Sequence, residues 1–390
     1  MTRWTLSIDV PRFPIDIFMV DNTIYILSVT ASFLLSLCCG FFFIPAILNF
    51  CRTHKLYDLP NARKVHRHAI PRLGGIAFLP SMLLAFMFCI LALHYMEGTA
   101  PLRVSLWTYS VMVGTVIVYA IGVVDDMIGL NAKMKFPVQI LAAALLPLSG
   151  LYLNDLYGLA GIHQLSPMAG SLLTIFVIVL IVNAFNLIDG IDGLAACLTL
   201  IALSGYLFCF IREELWIYCI MISGLMGVLV AYLYFNLFLS ERHKKKIFMG
   251  DSGSLTLGYV LAFLFVKFSM NNADVPPFYN ENRMLTYSLL VVPCFDVIRV
   301  FLVRLRNGRP LFHADKNHVQ HKIMRTGMTQ HQTLILIIFM QLGFIALNMT
   351  TYLATSCNIT IMAIVDIFVY IAIHLLIDRY IKLNGRKPFE

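Results

Sequence analysis

The sequence has little charge. Only 13% of its 390 residues are Asp, Glu, Lys or Arg, whereas about 25% is usual in soluble domains. Hydrophobic residues make up 59% of the chain, and the mean hydropathy is +0.80. This composition excludes a soluble domain and predicts an integral membrane protein. Internal repeats and low-complexity segments are also absent from the sequence, and we expect no nucleic-acid partner.

Metal-binding cysteine spacings are missing as well. The nine cysteines are an odd number, and most of them lie inside apolar runs. They are therefore interpreted as small core residues rather than as ligands or disulfides. We expect no cleavable signal peptide, because the first apolar segment is too long and has neither a basic leader nor a small-residue exit.

Long apolar segments dominate the chain. A transmembrane helix needs about 20 mainly apolar residues, and eleven segments qualify as candidates. We predict an all-α, polytopic integral membrane helix bundle of about eleven transmembrane helices, forming a single domain over residues 1–390. The predicted spans are 24–48, 74–95, 106–124, 136–153, 170–187, 193–211, 215–239, 254–270, 284–304, 331–355 and 358–381.

Lysine and arginine are distributed unevenly between the connections. Connections rich in these residues lie at 52–72, 133–135, 242–246 and 304–325, and all fall on one side when eleven spans are counted. The positive-inside rule then predicts an outer N-terminus and a cytoplasmic C-terminus. The formal net charge of +8 is thus one-sided, which suits anionic headgroups or anionic substrates.

One polar stretch, Asn-Ala-Phe-Asn-Leu-Ile-Asp-Gly-Ile-Asp-Gly-Leu-Ala, follows an uncharged run at 172–182. It places Asn183, Asn186, Asp189 and Asp192 three residues apart, a spacing that puts side chains on neighbouring positions of one helical face. Acids at a membrane are functional candidates, because they are costly unless a cation meets them. The alternative is a polar loop whose glycines serve the turn.

A second acidic site is predicted where the third span ends. Asp125 and Asp126 are adjacent there, and Lys133 and Lys135 follow. Neighbouring carboxylates repel and need a lysine, a metal or a shared proton. One of the pair is a candidate base, and the alternative is a solvated pair at a helix end.

A third acid, Asp251, lies between glycines where the eighth span begins. Glycine lets backbone approach a ligand closely, and a helix start offers free N–H groups to phosphate. An ordinary N-cap is the alternative role for Asp251, although Ser252 or Ser254 could fill it.

Basic groups and histidines on the same side complete the inventory. The loop that contains Lys64 and Arg72 could hold phosphates or serve topology alone. His318 and His321 are one turn apart if helical, a spacing that also suits a surface helix. Asp296 and Arg299, within the ninth span, are expected to form an ion pair that faces the bundle. Residues 155–169 are expected to form a small hairpin on the outer side.

Together these groups suit a divalent cation and a diphosphate. Mg²⁺ prefers oxygen ligands and often binds through one or two carboxylates and substrate phosphates. Phosphoryl transfer needs chiefly positioning and charge neutralisation. Because the site is predicted in a membrane, the substrate is expected to be borne by a lipid, whose chain contributes about 0.8 kcal/mol per buried CH₂.

Five separated motifs carry a resemblance to a known family. They are Asp-Leu-Pro-Asn-Ala-Arg-Lys-Val-His with Pro-Arg-Leu-Gly-Gly, the Asp125-Asp126 pair, the stretch that begins at Asn183, Phe-Met-Gly-Asp-Ser-Gly-Ser, and Asp-Lys-Asn-His-Val-Gln-His. From about residue 58 to 327 the chain resembles the polyprenyl-phosphate N-acetylhexosamine-1-phosphate transferases of glycosyltransferase family 4. The resemblance implies a bundle of ten or eleven helices that moves a sugar-1-phosphate from a UDP-sugar to undecaprenyl phosphate and releases UMP.

The resemblance also implies roles for matching residues. Mg²⁺, with Mn²⁺ as the alternative, would be held by Asp251 and Asn186, and Asp125 or Asp126 would act as base toward the lipid phosphate. We favour direct attack by that phosphate over a phospho-aspartate intermediate. The predicted catalytic residues are Asp125, Asp126, Asp189, Asp192, His318 and His321, and the predicted substrate-binding residues are Lys64, Arg72, Lys135, Asn183, Asn186, Phe248, Arg304 and Arg306.

The branch of the family and the partners follow from finer features. The Asp-Lys-Asn-His pattern resembles the undecaprenyl-phosphate GlcNAc-1-phosphate transferase branch, which primes envelope polysaccharides, more than the phospho-MurNAc-pentapeptide branch. Gln320 stands where a middle histidine is expected, and the segment after Asn236 departs from the family pattern. We expect a multi-pass protein of the inner (plasma) membrane with a cytoplasmic active site, and a homodimer is left open. An ion-coupled transporter and a passive scaffold are the rival interpretations.

Overall fold

Thirteen α-helices and four short strands form within the residues that the computed structural model describes, which are 22–58, 69–97, 106–239, 246–271, 280–310 and 316–384. The helices, in chain order, are α1 (Thr23–Thr53), α2 (Phe78–Glu97), α3 (Leu106–Ile128), α4 (Ala132–Leu148), α5 (Pro167–Ile188), α6 (Leu194–Arg212), α7 (Trp216–Leu233), α8 (Gly250–Ser269), α9 (Asn280–Ser288), α10 (Val291–Arg306), α11 (Val319–Met324), α12 (Gln330–Thr355) and α13 (Ile359–Leu383). The strands are β1 (Tyr57–Asp58), β2 (Ile70–Pro71), β3 (Asp155–Leu159) and β4 (Ile162–Gln164).

Nine helices of the described chain are long and apolar enough to cross a membrane. They confirm the predicted all-α, polytopic membrane architecture. The remaining two predicted spans take other forms. The span predicted at 136–153 is α4, which has 17 residues and ends before Gly150, whose φ is +88°. At 1.5 Å per residue, α4 is about 25 Å long.

The span predicted at 284–304 is a broken helix. α9 ends at Ser288 and α10 begins at Val291, because Pro293 has no N–H and its ring would clash with the carbonyl four residues earlier. Gln341 of α12 satisfies backbone groups at the break: its amide nitrogen donates to Ser288 O (2.7 Å), and its amide oxygen accepts from Val292 N (3.2 Å). α12 therefore stabilises the discontinuity inside the bundle.

α8 is the central helix, with 16 of its 20 residues buried. It packs against α3 and α5. Glycines allow these close crossings: a Cβ at Gly258 would lie 2.7 Å from Val182 Cα, and one at Gly122 of α3 would lie 2.6 Å from Ser252 Cα. α8 thus has its N-terminus fixed against the end of α3, next to the predicted acidic residues.

Two antiparallel hairpins lie at opposite ends of the bundle. β3 and β4 form the small hairpin predicted at 155–169, and it is joined to α13 by Ala160 N, which donates to Thr360 Oγ1 (2.8 Å). β1 and β2 pair at the other end, between α1 and α2. β2 and the 3₁₀ turn Gly74–Ala77 bring their backbone to the start of α8.

Candidate active site

A cavity of about 370 Å³ opens at the end of the bundle where α3, α5 and α10 end and α8 and α12 begin. Nine of the predicted site residues line it, although they come from five separated segments of the chain. These residues are Arg72, Asp125, Asp126, Asn186, Asp189, Asp192, Phe248, Asp251 and His321.

Asp126 caps the N-terminus of α8. Its carboxylate accepts hydrogen bonds from Asp251 N (2.8 Å) and Ser252 N (2.9 Å), one at each oxygen. Gly250, with φ +73°, makes the turn into the helix, and a Cβ there would overlap the Asp126 carboxylate. A negative charge at a helix N-terminus is favoured by the free N–H groups and the helix dipole. The capping role that the sequence left open for Asp251 therefore belongs to Asp126, and the Asp251 side chain lines the cavity instead.

Lys135 lies between two of the acids. Its Nζ is 2.5 Å from Asp251 Oδ2 and 3.4 Å from Asp125 Oδ2. Asn186 donates to Asp251 Oδ1 (3.1 Å) and to Ser254 Oγ (2.9 Å). A single ammonium group thus meets two carboxylates, so this part of the cavity has an excess of negative charge.

The donor set fits a hard divalent cation. One carboxylate oxygen from each of Asp125, Asp126 and Asp251 lies within 4.8 Å of the others. The Asn186 amide adds an oxygen beside them, since its nitrogen already bonds Asp251. Because Mg²⁺ takes oxygen ligands and often only one or two carboxylates, Asp125, Asp251 and Asn186 are suited to hold it, while Asp126 has both oxygens engaged by backbone.

Asp189 and Asp192 have different surroundings. α5 ends at Ile188, so both acids lie on the turn that leads into α6 rather than on the helix. Lys246 Nζ is 2.6 Å from Asp192 Oδ2. Burial raises the pKa of Asp189 to about 8, and the neighbouring carboxylates of Asp251, Asp192 and Asp126 act in the same direction. The Asp189 carboxyl group therefore keeps its proton at neutral pH in the ligand-free site.

An extended segment, 246–249, forms one wall of the cavity. Phe248 N donates to Pro71 O (2.7 Å), and Gly74 N donates to Phe248 O (2.9 Å). These bonds place the Phe248 ring and Arg72 on the same wall. Asn236 holds the segment from the other side, because its amide donates to Ile247 O (2.8 Å).

The two predicted histidines are separated by the structure. His321 lines the cavity, and burial, together with the electrostatic influence of His318, Lys316 and Arg325, lowers its pKa to about 4. It is therefore a neutral imidazole at pH 7. His318 is buried away from the cavity lining, where its Nδ1 lies 2.7 Å from Asp296 Oδ2.

Lys135 pairs with two of the lining acids but does not line the cavity itself. Three further predicted residues lie away from the lining. Asn183 turns to Gln139, to whose Oε1 it donates (2.7 Å). Arg304 is buried near the C-terminus of α10, and Arg306 is exposed there. A fourth predicted residue, Lys64, lies outside the described residues.

Other residues line the cavity without having been predicted as site residues. Tyr232 of α7 and Gln330 of α12 belong to this group, and neither lies in a motif that indicates chemistry. Lys246, which does not line the cavity itself but pairs with Asp192 there, was visible only as the last residue of a basic run. Its position two residues before Phe248 was the signal that could have identified it, because alternate residues of an extended segment share a face.

Comparisons with known proteins find relatives that match most of the chain. The sequence model of glycosyl transferase family 4 matches residues 108–269. The chain is 30% identical over 288 residues (72% of this chain, 73% of the relative) to the undecaprenyl-phosphate alpha-N-acetylglucosaminyl 1-phosphate transferase of Yersinia pestis. It is 30% identical over 325 residues (82% and 83%) to a probable undecaprenyl-phosphate N-acetylglucosaminyl 1-phosphate transferase of Bacillus subtilis. It is also 32% identical over 309 residues (74% and 73%) to the decaprenyl-phosphate N-acetylglucosaminephosphotransferase of Mycobacterium tuberculosis.

Proposed function

The chain belongs to glycosyl transferase family 4, and we propose that it transfers an N-acetylhexosamine-1-phosphate, GlcNAc-1-phosphate in the first instance, from a UDP-sugar to a polyprenyl phosphate. An oxygen of the lipid phosphate attacks the phosphorus that carries the sugar. The bond from that phosphorus to the bridging oxygen breaks, and UMP leaves with this oxygen. The products are a lipid-linked diphospho-sugar and UMP.

The observation that carries the proposal is the convergence of Asp125, Asp251, Asn186 and Lys135 at the membrane-helix ends that surround the cavity. Phosphoryl transfer depends on positioning and on neutralising the charge that develops on phosphate oxygens. Asp125, Asp251 and Asn186 would hold Mg²⁺, which, when bound, neutralises diphosphate charge. Lys135 holds the two acids in place and offers an ammonium to the same phosphates.

Two more residues contribute directly to phosphate binding. Arg72 lines the cavity, and within the described residues its Nε is a buried donor without a hydrogen-bond partner. Because a buried donor is costly when unpaired, Arg72 is suited to a phosphate oxygen of the substrate. Asp189 also lines the cavity; burial raises its pKa to about 8 in the ligand-free site, and in its protonated form it would donate a hydrogen bond to the same anion, which a charged carboxylate would repel.

We also propose where the reaction takes place. The cavity lies at the end of the bundle that carries most of the lysines and arginines of the described connections, including Arg52, Lys133, Arg306 and Arg325. The positive-inside rule assigns this end to the cytoplasm, where UDP-sugars are available. The acceptor remains in the inner leaflet, and the product primes an envelope polysaccharide.

The Asp296–Arg299 pair, the main feature in favour of a transporter, has a structural role. Asp296 and Arg299 do form the predicted ion pair (2.8 Å). However, Asp296 also accepts a hydrogen bond from Val319 N (2.9 Å) and contacts His318. The pair is thus engaged in holding α11.

A transfer assay with purified protein tests the proposal. The protein in lipid nanodiscs is incubated with undecaprenyl phosphate, Mg²⁺ and one labelled donor at a time: UDP-GlcNAc, UDP-GalNAc or UDP-MurNAc-pentapeptide. We expect butanol-extractable label with UDP-GlcNAc, and none when EDTA replaces Mg²⁺. Lipid-linked label only with the pentapeptide donor would assign the chain to the phospho-MurNAc-pentapeptide branch. If none of the UDP-sugars gives butanol-extractable label, the proposed function is contradicted.

A further inference from the structure

Helix α11 is six residues long, and its contacts with other helices decide where His321 lies. Gln320 is fully buried, and its amide donates to Leu187 O at the end of α5 (3.1 Å). On the other side, Val319 N donates to Asp296 Oδ1 of α10 (2.9 Å). A helix this short is unstable by itself, so these contacts hold it in place.

A third contact comes from α13. Lys322 of α11 is 1% exposed, and its Nζ lies 2.8 Å from Asp378 Oδ1. The same ammonium group donates toward His374 Nδ1, at 3.2 Å, one turn earlier on α13. Asp378 and His374 lie outside the family motifs, and the sequence indicates only packing for α13.

The contact between Lys322 and Asp378 places a charged ammonium group inside the protein. Burial lowers the pKa of Lys322, whereas the Asp378 carboxylate acts in the opposite direction and favours the ammonium form. A buried charge that loses its partner is strongly destabilising, more so than a buried pair that is removed as a whole. The position of Lys322 therefore depends on Asp378.

The position of Lys322 determines the direction of His321. Neighbouring residues of an α-helix point about 100° apart, because a turn holds about 3.6 residues. With Lys322 directed to α13 and Gln320 directed to α5, His321 is directed into the cavity, against the Gly190 turn. A Cβ at Gly190 would lie 3.4 Å from His321 Nε2. A rotation of α11 would move the imidazole away from this wall.

We propose that Asp378, through its ion pair with Lys322, is a positioning residue that directs His321 at the diphosphate of the sugar nucleotide. The inference rests on the proposed function, since it assumes that a sugar nucleotide occupies the cavity. It extends the site to Asp378 on the C-terminal helix, nearly 60 residues beyond the last motif.

The variant Asp378→Asn tests the proposal, with Asp366→Asn as its matched control. Asp366 also lies on α13 and is fully buried, whereas Asp378 is partly exposed; the Asp366 carboxylate accepts from Asn348 of α12 (2.9 Å) rather than from a residue of α11. We expect Asp378→Asn to raise KM for the UDP-sugar and lower kcat/KM by about tenfold to a hundredfold, as small displacements in a site do. Asp366→Asn should change kcat/KM by less than about twofold, whatever it does to Tm.

A double-mutant cycle separates positioning from a general structural effect. In a His321→Ala background, Asp378→Asn should cost less than about twofold, because the group through which it acts is gone. Equal losses in both backgrounds would overturn the proposal. If Asp378→Asn does not fold, Lys322→Met/Asp378→Asn replaces it, since that protein has no unpaired buried charge at this position.

Amide hydrogen exchange gives a readout that does not require activity. Exchange in 319–324 should rise at least about tenfold in Asp378→Asn and stay unchanged in Asp366→Asn. Unchanged exchange in Asp378→Asn overturns the inference even if every variant is active. Conversely, a wild-type protein without transferase activity but with the expected exchange would refute the proposed function and leave the Asp378 contact with α11 established.

Discussion

The carboxylates of the cavity differ in what surrounds them, and these surroundings divide their roles. Asp126 gives both oxygens to backbone N–H groups of α8 and acts as a cap. Asp251 is held by Lys135 and Asn186 and faces the cavity. Asp189 is kept protonated by burial and by neighbouring acids. Similar side chains are therefore not interchangeable at this site.

Asp251→Asn should abolish turnover while the protein still folds. The substitution removes a charge that pairs with Lys135 and that the proposed metal would need, and losses of about 10³-fold are typical when a group that stabilises charge is removed. Initial rates of UMP release measure the effect. Asp155→Asn, in the hairpin at the opposite end of the bundle, serves as control and should keep normal activity. Near-normal turnover in Asp251→Asn would remove this residue from the site.

Asp189→Asn should lower activity and stabilise the metal-free protein at high pH. The folded pKa of Asp189 is about 8, whereas the ordinary value is 3.8. Between these values the folded state keeps a proton that the unfolded state has released, so stability falls as pH rises through this window. Asn at this position avoids that loss.

Thermal unfolding in EDTA at pH 5, 7 and 9 measures this pH dependence. The Tm of Asp189→Asn relative to wild type should increase with pH and be about 4 °C higher at pH 9. Parallel Tm curves for the two proteins would contradict the raised pKa.

The sequence predicts most of these residues at one site, but it does not show that α5 ends at Ile188. The three-residue spacing predicted one face for the polar stretch, and Asn186, Asp189 and Asp192 do line the cavity. Asn183 does not, because α5 is continuous there and its amide reaches Gln139. The separation of His318 from His321 was also invisible, since it depends on Asp296, more than 20 residues away in the chain.

At the scale of elements, the start of α8 is the most constrained point of the site. Gly75 N donates to Met249 O (2.7 Å), which ties the 3₁₀ turn to the residue before α8. A Cβ at Gly75 would overlap the backbone of Gly253 and approach Met249 O to 2.7 Å. This close contact of two backbones fixes the acids that follow on α8.

Gly75→Ala should therefore destabilise the protein by about 1–3 kcal/mol, as overpacking does, and lower activity by displacing Asp251. Gly343→Ala in α12 is the matched control, because no described atom lies within 4 Å of a Cβ at that position. It should be neutral or stabilising by up to about 1 kcal/mol. Denaturation in detergent and the transfer assay measure both effects, and equal behaviour of the two variants would contradict the packing account.

Elements were predicted best where hydrophobicity alone defines them. Nine long apolar helices of the described chain follow from composition, whereas the interruption at Pro293 required knowing that Gln341 would satisfy the broken backbone. The role of α13 was missed because Asp378 and His374 obtain their meaning from Lys322, a partner more than 50 residues away. Local pattern carries little information about such contacts.

At the scale of the whole molecule, the distribution of charge predicts which end of the bundle faces the cytoplasm. Asn307→Cys, at the end of α10 near the cavity, should be inaccessible to a membrane-impermeant maleimide in intact cells. Ile162→Cys, in the exposed hairpin at the other end, should be labelled. Labelling is compared with the parent chain and after permeabilisation. The reverse pattern would place the cavity outside.

The nucleotide product tests the central claim most directly, because it shows which bond breaks. Purified protein, UDP-GlcNAc, undecaprenyl phosphate and Mg²⁺ are incubated, and the products are followed by ³¹P NMR. A site that transfers sugar-1-phosphate should release UMP in step with a new lipid diphosphate signal. Release of UDP, or no nucleotide product with any UDP-sugar tested, would contradict the account.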